Sequence, residues 1–284
     1  MSDKFDTIVY SASLSGVIAS IILKNKGQKV LLLNRYGFFG GSITEILNLF
    51  QKKVDLNSTQ NEIIKDTLKR ICDFKEGILF ENENFILFNP EVLKYVLQKI
   101  CEENEIDLLF HITPYRIEII NDEINLTVIG KEGEIEFTTS RLMDFSTEFT
   151  FAPLIDKNSR RFLKSKINFI CLPVDGKVLE SVDRKIKLND ERWWLSINLN
   201  CNELFSVEEV ATQKLDQIDE LLRQNNSRIQ IVPAQSHLIF SFTRTEKFDR
   251  RISFITDFVK SFQPEDEVLI AQKIETQLSN ETNI

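Results

Sequence analysis

The sequence lacks the residue patterns of several common functional classes. Its four cysteines are widely spaced and form no Cys-x-x-Cys pair, which argues against a zinc site, a redox pair or a disulfide framework and favours a reducing cytosol. Lys and Arg, 35 of the 284 residues, form no cluster and the net charge is −8, so nucleic acid is not an expected partner. The two histidines, His111 and His237, accompany no Ser or Cys motif, so we predict no catalytic and no metal-ligating residue.

A basic leader segment is also missing from the start of the chain. Residues 7–23 carry no charge, but Asp3 and Asp6 outnumber Lys4 ahead of them, whereas a secretory signal begins with a basic region. Four serines within the stretch make it too polar for a membrane span. We therefore expect a buried strand and helix at this point, in a cytoplasmic protein without a membrane partner.

Residues 6–34, DTIVYSASLSGVIASIILKNKGQKVLLLN, have the pattern of a strand, a helix and a second strand. The apolar stripe predicts a helix from Gly16 to Lys26, and Gly27 lies where a helix commonly ends. The continuous apolar run at 29–33 is typical of a parallel strand that is covered on both faces. This order of elements requires a right-handed crossover.

Later patterns predict an α/β fold: a Rossmann-like parallel sheet with a β-meander, plus a smaller α+β second region. The corresponding regions are 1–155 and 156–284. In the first, the patterns predict helices at 61–74 and 90–104, a hairpin at 77–88, a strand at 106–110, a three-stranded meander within 115–137 on one face of the sheet, and a returning strand at 141–145. In the second, they predict strands at 168–173, 193–199, 228–232 and 237–242, and helices at 207–223 and 249–262, the former opened by a capping box at Ser206 and Glu209.

The turn after the first strand is where such a unit binds a dinucleotide. The site normally uses three glycines: one for the tight turn, one for approach of the pyrophosphate and one for helix packing. Ser11 and Ser13 stand at the first two positions, and Gly16 keeps the third. A side chain at Ser11 strains a left-handed turn by roughly 1–2 kcal/mol. Asn34 offers a neutral amide where an acid usually binds the ribose.

At this point the chain resembles the FAD-dependent oxidoreductases with the glutathione-reductase-like Rossmann fold. The segment VLLLNRYGFFGGSIT carries the resemblance through Arg35, Tyr36, Gly37, Gly40 and Gly41. The segment RLMDFSTEFT resembles the returning strand of the family, and its aspartate retains the first acid of the closing motif. The resemblance covers about the first 150 residues well and the next 75 loosely.

The resemblance implies a cofactor site, although several of its positions have changed. The positions that correspond to the FAD site are Ser11, Ser13, Gly16, Asn34, Arg35, Gly40, Gly41 and Asp144. Thr147 replaces a glycine of close approach, and residues 248–278, which we predict to be helical, contain no glycine to match the last flavin-contacting element of the family. These departures predict a degenerate and truncated member in which the positions are vestigial and no FAD is bound.

Two functional hypotheses follow. The first is a non-catalytic or accessory derivative of an FAD-dependent oxidoreductase, acting as a partner or scaffold subunit through a protein partner or homo-oligomer, with its Phe-rich second half as the contact surface. The alternative is an FAD-binding oxidoreductase with an atypical nucleotide-binding turn. A third possibility is a different small-ligand site in the same cleft.

Two other groups of residues each have two interpretations. Trp193 and Trp194 could stack on a ligand or pack in the core. Residues 158–164 could bind an anion, although a solvated loop is the default interpretation.

Overall fold

The structure, a computed structural model, describes residues 3–54, 62–172, 176–259 and 266–281. Its strands are β1 (Asp3–Tyr10), β2 (Val30–Leu33), β3 (Phe50–Lys52), β4 (Ile78–Glu81), β5 (Phe85–Phe88), β6 (Asp107–Leu109), β7 (Thr113–Ile120), β8 (Glu123–Gly130), β9 (Gly133–Asp144), β10 (Arg160–Cys171), β11 (Arg184–Lys187), β12 (Trp193–Leu199), β13 (Ile229–Ile231), β14 (His237–Phe242) and β15 (Ile252–Phe254). Its helices are α1 (Leu14–Asn25), α2 (Ser42–Glu45), α3 (Glu62–Cys72), α4 (Pro90–Glu103), α5 (Ala152–Ile155), α6 (Gly176–Glu180), α7 (Val207–Arg223), α8 (Ile255–Phe258) and α9 (Glu267–Asn280).

A parallel sheet with the strand order β6-β2-β1-β9-β15 forms the centre of the first region. Strand β2 is buried along its whole length, as the apolar run predicted. Helix α1 follows β1, and Gly27 comes after the helix with a φ of 83°. The predicted α/β fold with a Rossmann-like sheet is confirmed.

Most predicted elements lie within a few residues of the observed ones. Helix α4 begins after Asn89, whose side chain accepts a hydrogen bond from the backbone N–H of Glu91. Helix α7 has the predicted bounds, but the predicted capping box is wrong: the Ser206 hydroxyl donates to the carbonyl of Glu203 at 3.1 Å and does not cap the helix. Three of the predicted elements begin or end outside the described residues. The positions concerned are residue 61, residue 173 and residues 260–262.

The meander differs from the prediction in two ways. Its third strand and the returning strand are one continuous strand, β9, which is 12 residues long. One edge of β9 pairs antiparallel with β8, while its last residues pair parallel with β1. The meander β7-β8-β9 therefore extends the central sheet at its edge and does not lie on one face of it. A strand of this length was not visible in the sequence because Thr138, Thr139 and Ser140 interrupt the apolar alternation.

The segment predicted as a helix at 249–262 is instead a strand followed by a short helix. Strand β15 pairs parallel with β9, with Ile252 opposite Leu142 and Phe254 opposite Asp144. Only the next four residues, α8, are helical. Strand β15 thus joins the parallel sheet of the first region, and the expected absence of the family's flavin-contacting element there stays a prediction. The split at 155/156 assigns β15 and α9 to the second region, whereas β15 is hydrogen-bonded to the first region's sheet and α9 packs on α1.

The second region contains a sheet with the order β11-β12-β10-β13, and β14 also pairs with β10. Residues that alternate along its strands, among them Phe169 and Leu195, pack with Leu222 of α7 in a separate apolar cluster. The predicted α+β character of this region is confirmed. On the opposite face, Ile170 and Trp194 pack in the core cluster of the first region.

Phenylalanines of the second half form part of the core. The rings of Phe149, Phe242 and Phe254 are mutually in contact, with centroids 4.7 Å apart for the pairs that Phe242 makes. Phe205, which is 85% exposed, is an exception among the described residues. The abundance of phenylalanine in this half therefore reflects packing more than a contact surface. No helix in the described part of the chain is both long enough and apolar enough to cross a membrane.

Candidate functional site

The predicted site residues lie where the carboxyl ends of the parallel strands meet, which is the usual ligand position in an open α/β sheet. A cleft there is lined by Tyr10, Ser11, Ser13, Asn34, Arg35, Tyr36, Ser42, Glu45, Phe145, Ser146, Thr147, Glu148, Thr150, Gln235 and Glu267. Four of the predicted residues line this cleft, while Gly16, Gly40, Gly41 and Asp144 support its walls. The enclosed space is about 30 Å³, which is room for a water or two. Ligand pockets measure roughly 300–1,000 Å³.

Ser11 occupies a backbone conformation that suits glycine. Its φ is 85°, as the glycine pattern of the turn predicted. A Cβ on Gly16 would lie 2.0 Å from the carbonyl oxygen of Ser11, so the third glycine retains its packing role. The turn therefore keeps the geometry of a nucleotide-binding turn while carrying a strained serine.

Replacing Ser11 with glycine should raise the free energy of unfolding by about 1 kcal/mol, because it relieves the left-handed strain. Ser13 is the matched comparison, because its φ is −69° and its hydroxyl caps α1. Ser13→Ala should lower the free energy of unfolding by about 1 kcal/mol. Urea denaturation of the two variants tests this difference in sign. Equal effects of the two substitutions would contradict the strain at Ser11.

The N-terminus of α1, where a pyrophosphate would bind, is already supplied with acceptors from the chain. The Ser13 hydroxyl accepts from the N–H of Gly16 at 3.2 Å. The carboxylate of Glu267, the first residue of α9, accepts from the N–H of Ser15 at 3.0 Å. Glu267 is 1% exposed, and its charge interacts favourably with the helix dipole. Burial nevertheless raises the pKa of its carboxyl, and the hydrogen bond from Ser15 partly offsets this.

Asn34 directs both of its polar atoms to the surrounding backbone. Its Oδ1 accepts from the N–H of Ala12 at 3.0 Å, while its Nδ2 donates to the carbonyls of Tyr36 at 3.1 Å and Phe38 at 2.9 Å. Only 2% of the residue is exposed. Asn34 therefore ties the first turn to the following loop, whereas the sequence suggested a weakened ribose ligand.

The glycine pair brings that loop against the first turn. The N–H of Gly40 donates to the carbonyl of Ala12 at 2.8 Å. Gly41 has a φ of 52°, and a Cβ on it would lie 2.4 Å from the Cβ of Ser13. Ser13 thus packs directly against Gly41.

Gly41→Ala should lower the free energy of unfolding by about 2 kcal/mol, since it adds a steric clash to the cost of a positive φ. Gly27→Ala is the matched control, because Gly27 has a φ of 83° and a Cβ added there would meet nothing within 4 Å. It should cost only about 1 kcal/mol. Thermal melts of both variants measure the difference. A stable Gly41 variant that had lost bound nucleotide would contradict this structural role.

Residues from both regions close the mouth of the cleft. Arg35 donates from Nη1 to Oε1 of Gln235 at 3.2 Å and lies 3.9 Å from the carboxylate of Glu148. Gln235 in turn donates to Glu148 at 2.8 Å and accepts from the Tyr36 hydroxyl at 2.8 Å. These contacts hold the second region against the loop that resembles the FAD family.

Asp144 is completely buried and organises the loop after β9. Its carboxylate accepts from the N–H of Ser146 at 2.9 Å, the hydroxyl of Ser146 at 2.6 Å and the N–H of Phe151 at 2.9 Å. Burial raises the pKa of Asp144 to about 6, although these hydrogen bonds oppose the rise. The retained acid of the closing motif is therefore satisfied by its own loop.

The electrostatic environment of the cleft is acidic. Glu45, Glu148 and Glu267 line it, against the single cation Arg35 among its described residues. Burial raises the pKa of the Glu45 carboxyl to about 7 and also raises that of Glu148. Burial thus disfavours the ionised forms of these carboxyls.

The residues present do not fit FAD. Three backbone N–H groups around the α1 N-terminus, those of Ala12, Ser15 and Gly16, are bound by side chains of the chain itself. The space is roughly a tenth of the smallest ordinary ligand pocket. Sequence reasoning identified the weakened turn but missed Glu267, for which the sequence holds no local signal. In the described ranges, no group of three His, Cys, Asp or Glu side chains could hold a metal ion.

The parallel sheet, the meander and the glycine loop define a Rossmann-type flavoprotein fold. A sequence model of the family described as FAD dependent oxidoreductase matches residues 6–154. The chain belongs to this family. No curated protein matches the chain in a sequence search.

Several solved structures are similar to the whole or most of this chain. p-Nitrophenol 4-monooxygenase from Pseudomonas putida DLL-E4 is similar with a TM-score of 0.64 at 10% identity, over 98% of this chain and 80% of that one. Aklavinone-11 hydroxylase, in a ternary complex with FAD and aklavinone, has a TM-score of 0.59 at 12% identity, over 89% of this chain and 57% of that one. A geranylgeranyl bacteriochlorophyll reductase-like protein from Thermoplasma acidophilum has a TM-score of 0.59 at 8% identity, over 98% and 79%. These likenesses concern the fold alone.

Proposed function

We propose that this chain is a non-catalytic member of the FAD-dependent oxidoreductase family that binds no FAD and acts as a partner or scaffold subunit. The observation that carries the proposal is the buried carboxylate of Glu267 on the N-terminus of α1. A carboxylate and a phosphate satisfy a helix N-terminus in the same way, so the two compete for one position. The chain thus provides from α9 an acceptor oxygen where the cofactor would otherwise supply one.

Charge and space support the same conclusion. For FAD to enter, Glu267 would have to leave a buried position and the contacts of Gln235 across the mouth would have to break. Each lost charge-assisted hydrogen bond costs about 1.5–3 kcal/mol. Two such losses amount to about 3–6 kcal/mol, or on the order of a hundredfold to a ten-thousandfold in affinity.

The partner would be a protein, either a second copy or another chain, in the cytoplasm. The contact surface that we favour is strand β7, which ends the central sheet and, among the described strands, pairs only with β8. On this strand Tyr115 is 53% exposed, Ile120 49% and Ile119 45%. This surface replaces the Phe-rich second half, whose rings are largely in the core.

The alternative is an FAD-binding oxidoreductase with an atypical turn. The complete parallel sheet, including β15, favours it, since the framework of the family's cofactor domain is retained. It requires α9 to withdraw Glu267 when the cofactor binds.

The deciding experiment is a visible absorption spectrum of the purified protein, followed by titration with FAD. We expect no flavin absorbance and no binding up to about 100 µM FAD. Stoichiometric flavin absorbance, or micromolar affinity, would overturn the proposal in favour of the alternative.

Partner binding is tested separately by analytical ultracentrifugation and by a pull-down from native lysate. The wild type should self-associate or recover a defined partner, and Ile119→Lys should abolish this. Ile129→Lys is a comparison on the adjacent strand, where the side chain is also exposed. A monomer that recovers no partner would contradict the scaffold role.

A further inference from the structure

The end strands of the sheets in this protein are mostly short or uniformly charged. Strands β3, β6 and β13 have three residues each. Strand β11, with the sequence RKIK, carries three cations and would repel a second copy of itself. Both features are common ways of preventing sheets from pairing edge to edge. Strand β7 has neither, since it is eight residues long and carries one cation and one anion, Arg116 and Glu118.

The outer part of β7 is a regular strand. From Arg116 to Ile120 its residues pair one to one with β8, after a shift in register near the start of the strand. Successive side chains of a strand point to opposite faces of the sheet. Arg116 and Glu118 therefore lie on one face, and Ile117 and Ile119 on the other. Among the described strands, β8 is the only one that pairs with β7, so a second strand can be added at the other edge.

Symmetry limits how a second copy of β7 can pair with that edge. Most homodimers have a two-fold axis. In an antiparallel pair, directly opposite residues point to the same face, so an axis perpendicular to the sheet must pass between two copies of one residue.

The charges of β7 select one of the possible axes. An axis at Ile117 places Arg116 of each copy opposite Glu118 of the other. An axis at Arg116 or at Glu118 would place like charges directly opposite each other, which is destabilising. An axis at Ile119 would place Glu118 opposite Ile120. The axis at Ile117 is therefore the one that pairs both charges.

The contacts that Arg116 makes within the chain leave it able to bind a second carboxylate. Its Nε lies 3.7 Å from the carboxylate of Glu118, and its Nη2 lies 3.5 Å from that of Glu136. All three side chains are roughly half exposed, so these ion pairs contribute little to stability. A guanidinium has five N–H donors. In the pair of strands, the two arginines and the two Glu118 residues alternate in sign around a square, and each charge has two neighbours of opposite sign.

Exposed apolar side chains lie along the same strand. Tyr115 and Ile119 are both about half exposed. The axis at Ile117 brings Ile119 of each copy to the end of the strand that carries Tyr115 of the other. Pairs of aromatic and β-branched side chains across two strands are favourable, so these residues add to the charge pairing.

We propose that β7 is a dimerisation strand, through which two copies of this chain pair antiparallel about a two-fold axis at Ile117 and form one continuous sheet. The inference rests on the proposed function, because it names a second copy as the partner of the β7 surface. The backbone groups at the free edge of each copy become hydrogen-bonded to those of the other. Because one strand from each copy makes a small interface, we expect a Kd of about 10 µM.

Sedimentation of charge variants over about 1–200 µM protein tests the register. Arg116→Glu and Glu118→Arg should each weaken self-association by at least about tenfold, since each places like charges opposite each other. An equimolar mixture of the two variants should dimerise, because every opposite pair then again joins a carboxylate to a guanidinium. The double variant should dimerise as the wild type does. Lys65→Glu, at an exposed position of α3, makes a similar change in charge and should have no effect.

A cross-linking experiment tests the axis without changing a charge. Directly opposite residues of an antiparallel pair have Cα atoms about 4.5–5.5 Å apart, within the range of a disulfide. Ile117→Cys should therefore give a covalent dimer on oxidation. Ile119→Cys is the matched control, because the two copies of that residue would be four positions apart, or about 13 Å, which is too far. Both variants are made with Cys72→Ser, since Cys72 is exposed and the other native cysteines are buried.

Several outcomes would overturn the dimer. They are a wild type that is monomeric at about 200 µM, a mixture of the charge variants that stays monomeric, and equal cross-linking of the two cysteine variants. The absorption spectrum of the same samples keeps this test apart from that of the proposed function. A monomer without flavin contradicts the dimer alone, whereas a dimer that carries flavin contradicts the absence of FAD and supports the pairing of β7.

Discussion

The substitution Glu275→Ala is expected to lower the free energy of unfolding by about 3 kcal/mol. The substitution Glu267→Ala is expected to lower it by about 2 kcal/mol. Both residues lie on α9, and each caps the N-terminus of a different helix. The Glu275 carboxylate accepts from the N–H groups of Ile63 and Ile64 at 2.9 Å each, at the start of α3. The Glu267 carboxylate accepts from Ser15 at the start of α1.

The two effects should add in the double variant. The residues are eight positions apart, which corresponds to about 12 Å along a helix. At that separation, with no shared partner, substitutions act independently, so the double variant should lose about 5 kcal/mol. The melting temperature should fall by roughly 10–20 °C.

Urea denaturation measures these changes, and Lys273→Ala is the control on the same helix. Lys273 is exposed, so its substitution should change stability by less than about 0.5 kcal/mol. Glu267→Gln, which keeps an acceptor for Ser15, should cost less than Glu267→Ala. If the alanine variants of both glutamates matched Lys273→Ala, the carboxylates would have no capping role.

Glu45→Gln is expected to stabilise the protein by about 3 kcal/mol at pH 8 and to have little effect at pH 4.5. Burial raises the pKa of Glu45 from 4.5 to about 7 in the folded protein. The folded state therefore holds the proton more tightly than the unfolded state. The stability this contributes is fully present below about pH 4.5 and is lost as the pH rises through about 7. Glutamine resembles the protonated acid at every pH.

The comparison between variant and wild type isolates Glu45 from groups that titrate in the same range. His237, whose pKa is lowered to about 3, destabilises the fold as the pH falls below its unfolded value of 6.5. Asp144, whose pKa is raised to about 6, acts in the opposite direction. Both contributions cancel in the difference. Glu83→Gln, at an exposed position in the β4–β5 turn, is the control. An equal gain at pH 4.5 and pH 8 would show that ionisation of Glu45 is not its cause.

The sequence predicted those parts of the fold that local patterns determine. The helix pattern of α1, the Asn89-Pro90 start of α4 and the bounds of β12 and β14 all follow from residues close together in the chain. The positive φ of Ser11 could also be predicted, because the turn geometry is fixed by the strand and helix on either side.

The missed features depend on contacts between distant segments. Ile252 to Phe254 form a strand only because β9 offers a free edge, and their short apolar pattern is compatible with a helix as well. Glu267 looks like any acid in the first turn of a helix until α9 packs on α1. The hydrogen bonds from Asn168 to Ile46 and from Trp194 to Leu47 likewise join segments that no sequence window contains together.

The capping of α1 by Glu267 has a consequence for synthesis on the ribosome. The two partners are separated by 252 positions in the chain. At about 5–20 residues per second, roughly 10–50 s pass between the appearance of Ser15 and that of Glu267. During this interval the first βαβ unit exists without its anion and without strand β15 at the edge of its sheet. The cap of α1 and the last strand of the parallel sheet can therefore form only after the segment that carries β15 and α9 has been synthesised.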